Sequence, residues 1–369
     1  MEGNFYFGWL LYNLICGILL LNFSSKVKLC QNRLILGIFC LSCFLLAIFG
    51  NSITPDYIPY KDIISEISRT RDPFTHLEDI YVKLIHIIGN NYFLYQCIIY
   101  GIQFILLYFL ASKSIIKSKY IICFMALFAV LGLYNNIGGR AGLCYVTTLY
   151  GVLCFDNQQR IWGILMLALG CLLHKIGFVL APLFMVVSVI PISFNRKKLI
   201  LFSIIILGVI AVMRHIINTS FGDLLDQMSS ISAAGANYIA KEVGPNEGGS
   251  IWWKLIGFYN TLFFILISCR ILYLANRFIK DNRMIRLYYR ISISLITLSI
   301  IYYSLGLPDP TIGDRFLSSA TIPICIIAAL ISEYRPYKHC EKNIYILGLL
   351  ILLMLKNAFI VGVSHINGV

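Results

Sequence analysis

About a dozen apolar runs, most of them long enough to cross a lipid bilayer, follow one another along this chain, separated by short polar breaks and two longer ones. They fall near residues 5–23, 34–50, 92–111, 120–134, 141–155, 161–173, 176–190, 199–213, 251–269, 288–305, 316–333 and 344–362. Inside hydrocarbon each backbone N–H and C=O must find a partner within the protein, which leaves helices or a closed barrel. Continuous apolar runs of this length read as helices, whereas barrel strands alternate apolar and polar residues. Only 13% of the residues are charged against 59% hydrophobic, and the mean hydropathy is +0.81. So few charges cannot cover a water-facing surface, so a soluble enzyme, a secreted disulfide scaffold and a disordered regulator are excluded. The fold class is all-α: a polytopic membrane protein of about 12 membrane segments, one integral membrane domain over residues 1–369.

The net charge of +13 belongs to the loops. With the N-terminus outside, the inside loops carry Lys26, Lys28 and Arg33; Lys113, Lys117 and Lys119; Arg160; Arg196, Lys197 and Lys198; the Arg270–Arg290 group; and Arg335, Lys338 and Lys342. They hold most of the 30 Lys and Arg, as the positive-inside rule requires. The excess is therefore topological, and no basic segment has the interleaved aromatics of a nucleic-acid site. No basic residue precedes the first run, whereas Lys26, Lys28 and Arg33 follow it, the reverse of a signal-peptide charge order. The C-x-x-C pair Cys40 and Cys43 lies in the middle of a span and reads as small apolar residues against a neighbouring helix. No structural disulfide is expected.

Two outside loops are long, about 51–91 and about 214–250. The first contains KDIISEISRTR and LEDIYVKLIHIIG, both with helix-like apolar spacing, and predicts two short interfacial helices. The second is rich in Ser, Ala and Gly and reads as a flexible flap.

One segment departs from the simple pattern. Run 161–173 corresponds to roughly 20 Å of helix, short of a hydrocarbon core of about 30 Å. His174 and Lys175 follow, and then 176–190 is apolar again. Read as one long helix with a stray polar pair, it would invert every later segment. Read as a helical hairpin, it places an imidazole and an ammonium at membrane depth, where only a polar cavity tolerates them. The hairpin is the reading adopted here.

Arg140, Lys175, Arg214 and Arg315 then stand at the outward ends of four segments, on the side that the charge rule depletes. Each alone can be a snorkelling side chain. Together they suit a phosphate-bearing ligand, because Arg grips phosphate oxygens bidentately and Lys adds a point charge. Soluble catalytic signatures are absent: there is no H-E-x-x-H, P-loop, G-x-S-x-G or D-x-D. The six histidines lack metal-ligand spacing, so neither a metal nor any other cofactor is expected.

The stretch NNIGGRAGLCYVTTLYGVLCFDNQQRIWGILMLALGCLLHKIGFVLAPLF resembles the core of the EpsG-like branch of Wzy-type polysaccharide (O-antigen) polymerases. TPDYIPY resembles that family's Asp-Tyr-x-x-Tyr element in the first outer loop, GDRFLSSATIP its late Arg-Phe element, and the Gly-Ser-rich stretch before Trp252 is also similar. The resemblance implies an enzyme of the bacterial cytoplasmic (inner) membrane that works on its outer face. It implies that undecaprenyl-diphosphate-linked oligosaccharide units are both donor and acceptor, joined by glycosyl transfer with lipid diphosphate as leaving group. It implies no nucleotide sugar, and a chain-length regulator protein as a further partner. On that reading Arg140, Lys175, Arg214 and Arg315 bind the diphosphate, with Arg140 and Arg315 foremost. Asp56 is the first choice of general base and His174 the second. Tyr57, Tyr60 and Glu78 contact sugar. A lipid-linked oligosaccharide flippase is the competing class, but it would show internal pseudo-repeats and charges reached from both faces. Other polyprenyl-dependent glycosyltransferases or ligases remain open, and an O-acyltransferase would not need four cations.

Overall fold

The computed structural model describes residues 2–50, 61, 84–85, 87–89, 91–133, 139–174, 176–189, 251–304 and 311–366. The predicted interfacial helices, the run 199–213 and the flap at 214–250 lie outside the described residues, apart from isolated positions of the first long loop, Lys61 and a few near its end. Eleven α-helices are present among those described: α1 (Glu2–Leu21), α2 (Asn32–Phe49), α3 (Tyr92–Ile115), α4 (Ile121–Leu127), α5 (Gly139–Asp156), α6 (Arg160–Leu173), α7 (Gly177–Val189), α8 (Ile251–Ala275), α9 (Arg283–Ser304), α10 (Thr311–Tyr334) and α11 (His339–Ile366). Strands are absent among the described residues. Six stretches are both long and apolar enough to cross a membrane, within α1, α2, α3, α9, α10 and α11. Four apolar helices are shorter, including the two arms α6 and α7.

Position in the bundle explains the differences in composition. The crossing stretch of α10 has 89% of its residues buried within the protein. All seven residues of α4 are buried, as is the π-helical turn Phe128–Gly132 that continues it. Helix α5 is enclosed by α3, α6 and α7 and carries Thr147 and Thr148, both fully buried, in the middle of its length. Their hydroxyls bond back to the carbonyls of Leu143 and Cys144, so these polar atoms cost little there. A helix shielded from lipid by its neighbours tolerates such residues. The perimeter helices instead turn Leu10, Leu14, Leu34, Leu41, Ile164 and Leu347 outward, more than half exposed, which is the surface that acyl chains would cover. Cys40 and Cys43 point inward from α2 and are buried, as small packing residues should be.

The basic loops gather at one end. Asn32 Nδ2 donates to the carbonyls of Ile116 and Ser118 at 2.7 and 2.8 Å, and the Val27 amide donates to Lys119 O. The Lys119 amide reaches Glu333 Oε1 at 3.0 Å, and Lys113 Nζ reaches Gln159 Oε1 at 3.1 Å. Arg283 pairs with Asp156 at 2.8 Å and Arg270 with Glu341 at 2.9 Å. The loops after α1, α3, α5, α8 and α10 are thus cross-linked to one another or to adjoining helix ends, although they lie far apart in sequence.

Candidate functional site

At the other end lie the starts of α3, α5, α7 and α10 and the ends of α6 and α9. The hairpin is the least regular element there. Its arms are 14 and 13 residues long, and His174 between them is extended, at φ −160° and ψ 144°. Two glycines allow the arms to close. A Cβ on Gly177 would overlap the Gly170 carbonyl, and a Cβ on Gly170 would overlap Thr148 of α5. The Cys144 thiol adds a contact to Gly170 O at 3.2 Å. Leu173 then packs against Ile85, Tyr95, Ile99 and Leu143, which ties the tip of the hairpin to α3 and α5.

His174 is oriented by its own turn. The Gly177 amide donates to His174 O at 2.8 Å, and the Ile176 amide donates to His174 Nδ1 at 3.2 Å. With Nδ1 occupied as an acceptor, a neutral imidazole carries its proton on Nε2. In this arrangement Nε2 is the donor nitrogen of the neutral ring.

Arg140 lies in the first turn of α5 and Arg315 in the first turn of α10, both half-buried. The helix macrodipole is positive at that terminus and disfavours a cation. The same terminus, with its outward N–H groups, favours an anion. Two helix starts each carrying a guanidinium therefore form a region of concentrated positive potential. Fully buried Tyr145, one and a half turns into α5, interacts electrostatically with both Arg315 and Asp314 of α10. Asp314 also accepts a hydrogen bond from the Tyr303 hydroxyl at the end of α9.

Among the site residues expected from sequence, Arg140 and Arg315 stand in the first turns of α5 and α10 and His174 at the break between α6 and α7. Asp56, Tyr57, Tyr60, Glu78, Lys175 and Arg214 lie outside the described residues. Sequence reasoning passed over Tyr145 and Tyr303, because a tyrosine within an apolar run has the look of core filling. It also passed over Lys356, 5% exposed in the middle of α11, beside an Asn357–Asn13 hydrogen bond of 3.0 Å to α1. A lysine inside LILLMLKNAF is a visible signal, since an ionisable group at mid-span is rare and commonly functional. No group of three or more His, Cys, Asp or Glu side chains that could hold a metal occurs among the described residues.

The model of the EpsG family matches residues 33–367. No curated protein and no solved structure matches the chain.

Proposed function

The chain belongs to the EpsG family, whose members are Wzy-type polymerase-like glycosyltransferases, and from that premise we propose that it polymerises lipid-linked oligosaccharides on the outer face of the bacterial cytoplasmic membrane. The growing chain, held on undecaprenyl diphosphate, is the donor, and the non-reducing end of an incoming lipid-linked unit is the acceptor. The acceptor hydroxyl oxygen attacks the anomeric carbon of the donor. The bond from that carbon to the diphosphate oxygen breaks, and its electron pair leaves on the diphosphate. The hydroxyl proton passes to a base.

One observation supports this reading above the others: at the end opposite the basic loops two helix starts, those of α5 and α10, each bear an arginine where a helix start favours an anion. Preorganised donors aimed at a leaving group that gains charge are the most effective form of electrostatic catalysis. Arg140 and Arg315 fill that role, joined by Lys175 and Arg214. His174, with its Nε2 proton, donates to the diphosphate in the geometry described. Asp56 is then the preferred base, with His174 the second choice, and Tyr57, Tyr60 and Glu78 contact sugar. The exposed apolar flanks of the bundle give polyprenyl tails a lateral route to the site.

The test is polymer formation by the purified full chain in lipid nanodiscs, supplied with an undecaprenyl-diphosphate-linked repeat unit. A ladder of products supports the proposal. Conversely, transport of that lipid between leaflets without any ladder would assign the protein to the flippase class.

A further inference from the structure

The arginine-bearing end of the bundle holds a single carboxylate whose side chain is described, Asp314. The other described carboxylates belong to the basic end. Asp156 is tied to Arg283, Glu333 to the Lys119 amide and Glu341 to Arg270, while Asp281 lies in the loop between α8 and α9. A carboxylate where a diphosphate is to bind is a repulsive element and calls for an explanation. Its position in the first turn of α10 supplies one, because acidic side chains favour helix starts. That explanation leaves Tyr303 unaccounted for.

Tyr303 is held against Asp314 by three contacts. Its hydroxyl donates to the carboxylate. Ser299 Oγ, one turn earlier in α9, donates to Gly313 O at 2.9 Å. Gly313 itself lies so close to the Tyr303 ring that a Cβ there would meet ring carbons at 2.9 Å. The phenol and the carboxylate are therefore positioned by the junction of α9 and α10. Asp314 remains exposed, whereas the adjacent Arg315 is half-buried and acts on Tyr145. Consecutive residues on a helix do not face each other, so the two charges serve neighbouring but separate directions.

We propose that Asp314 and Tyr303 form a subsite for the hydroxyl groups of the sugar carried on the lipid diphosphate, beside the diphosphate-binding Arg315. The proposal rests on the polymerase reading and deepens it. A sugar diphosphate presents an anion and, a few bonds away, a set of hydroxyl donors. Arg315 and Asp314 present a cation and an acceptor at matching proximity. An ionised carboxylate is acceptor-only with about four lone-pair positions, more than a single partner uses, and Asp314 is exposed. Hydrogen bonds to an ionised acceptor are roughly twice as strong as neutral ones. A site built to bond hydroxyls rejects ligands that lack them, which makes this pair a determinant of sugar specificity.

The experiment compares wild type, Asp314→Asn and Tyr303→Phe as full chains in lipid nanodiscs. The probes are undecaprenyl diphosphate without sugar and the undecaprenyl-diphosphate-linked repeat unit. Asn keeps the shape of the side chain and one acceptor oxygen but loses the charge. Asp314→Asn is expected to raise KM for the repeat unit by about tenfold or more, with kcat within about threefold and affinity for the sugar-free lipid within about twofold. Tyr303→Phe is expected to move KM in the same direction by about threefold. An unchanged KM in both variants overturns the subsite, and so does equal loss of affinity for both lipids. A fall in kcat alone would make Asp314 a proton acceptor instead and equally overturn the binding role. If wild type neither forms polymer nor binds the sugar-free lipid diphosphate, the polymerase reading itself fails, which is distinguishable from wild-type polymerisation with unaltered variants.

Discussion

The two ends of the bundle use their charges in opposite ways. At the basic end, cations meet structural partners: Arg283 bonds Asp156, Arg270 bonds Glu341, and Lys113 bonds Gln159 while stacking over the Tyr150 ring. Lys113 also sits in the last turn of its helix, where the macrodipole favours a positive charge. At the other end, Arg140 and Arg315 occupy helix starts, where the macrodipole disfavours them, and the carboxylate beside Arg315 is engaged by a tyrosine. Charges that satisfy their own helices hold loops in place. Charges set against their helices concentrate a positive field at that end, the field on which the proposed diphosphate site relies.

The sharpest way to break this comparison is to find the ends on the wrong sides of the membrane. Cys30 and Cys340 are exposed near the basic end. In intact cells a membrane-impermeant maleimide should leave both unlabelled, while cysteines introduced in 51–91 and 214–250 should react fully. The reverse pattern would move the proposed site to the cytoplasm. Next in size, Arg140→Ala and Arg315→Ala should abolish polymerisation at near-normal membrane levels of protein. Truncating one partner of a charge-assisted contact costs about 2–5 kcal/mol, and Lys at either position should rescue only partly because it lacks the planar fork. Full product ladders from both Ala variants would reduce these residues to snorkelling side chains.

A smaller effect separates the two candidate bases. Asp56→Asn should lower kcat by roughly 10²–10⁴-fold with donor binding retained. His174→Ala should cost less in turnover and more in donor affinity, since its Nδ1 already accepts the Ile176 amide. Near-normal turnover of Asp56→Asn with an inactive His174→Ala would assign the base to the histidine. The smallest effect belongs to the basic end. Arg270→Ala removes a pair whose arginine is 46% exposed, so it should change stability by less than about 1 kcal/mol and leave turnover near wild type. Loss of polymerisation there, as complete as that of Arg140→Ala, would erase the contrast between the ends.

Much of the helical pattern was legible in the chain itself, with instructive errors at helix ends. The apolar run 141–155 lies within α5, Gly139–Asp156, because that helix stops almost where its apolar residues stop. The run 288–305 missed the first turn of α9, which begins at Arg283 and includes Arg286. A helix continues past the hydrocarbon into the interface, where basic side chains suit it and apolarity no longer marks it. The run 251–269 fell short of Ala275 for the same reason. Hydropathy also hid the π-helical turn at Phe128–Gly132, since a change of hydrogen-bond register leaves no trace in composition.

The sequence by itself determined that the chain is helical and membrane-embedded, which ends of its helices carry basic loops, and that residues 161–189 form a hairpin broken at His174. Those features depend on transfer free energies and on local length, quantities that each segment carries independently of the others. Only the tertiary structure decided that Tyr145 of α5 interacts with Asp314 and Arg315 of α10, and that Tyr303 engages Asp314. Apolar helices of similar composition can pack in many orders at similar cost in hydrophobic burial, so hydropathy does not say which are neighbours. Close packing decides it, at contacts such as Gly163 on the Gly151 and Phe155 backbone and Gly8 on the Gly50 backbone, where a single added methyl group would meet main-chain atoms.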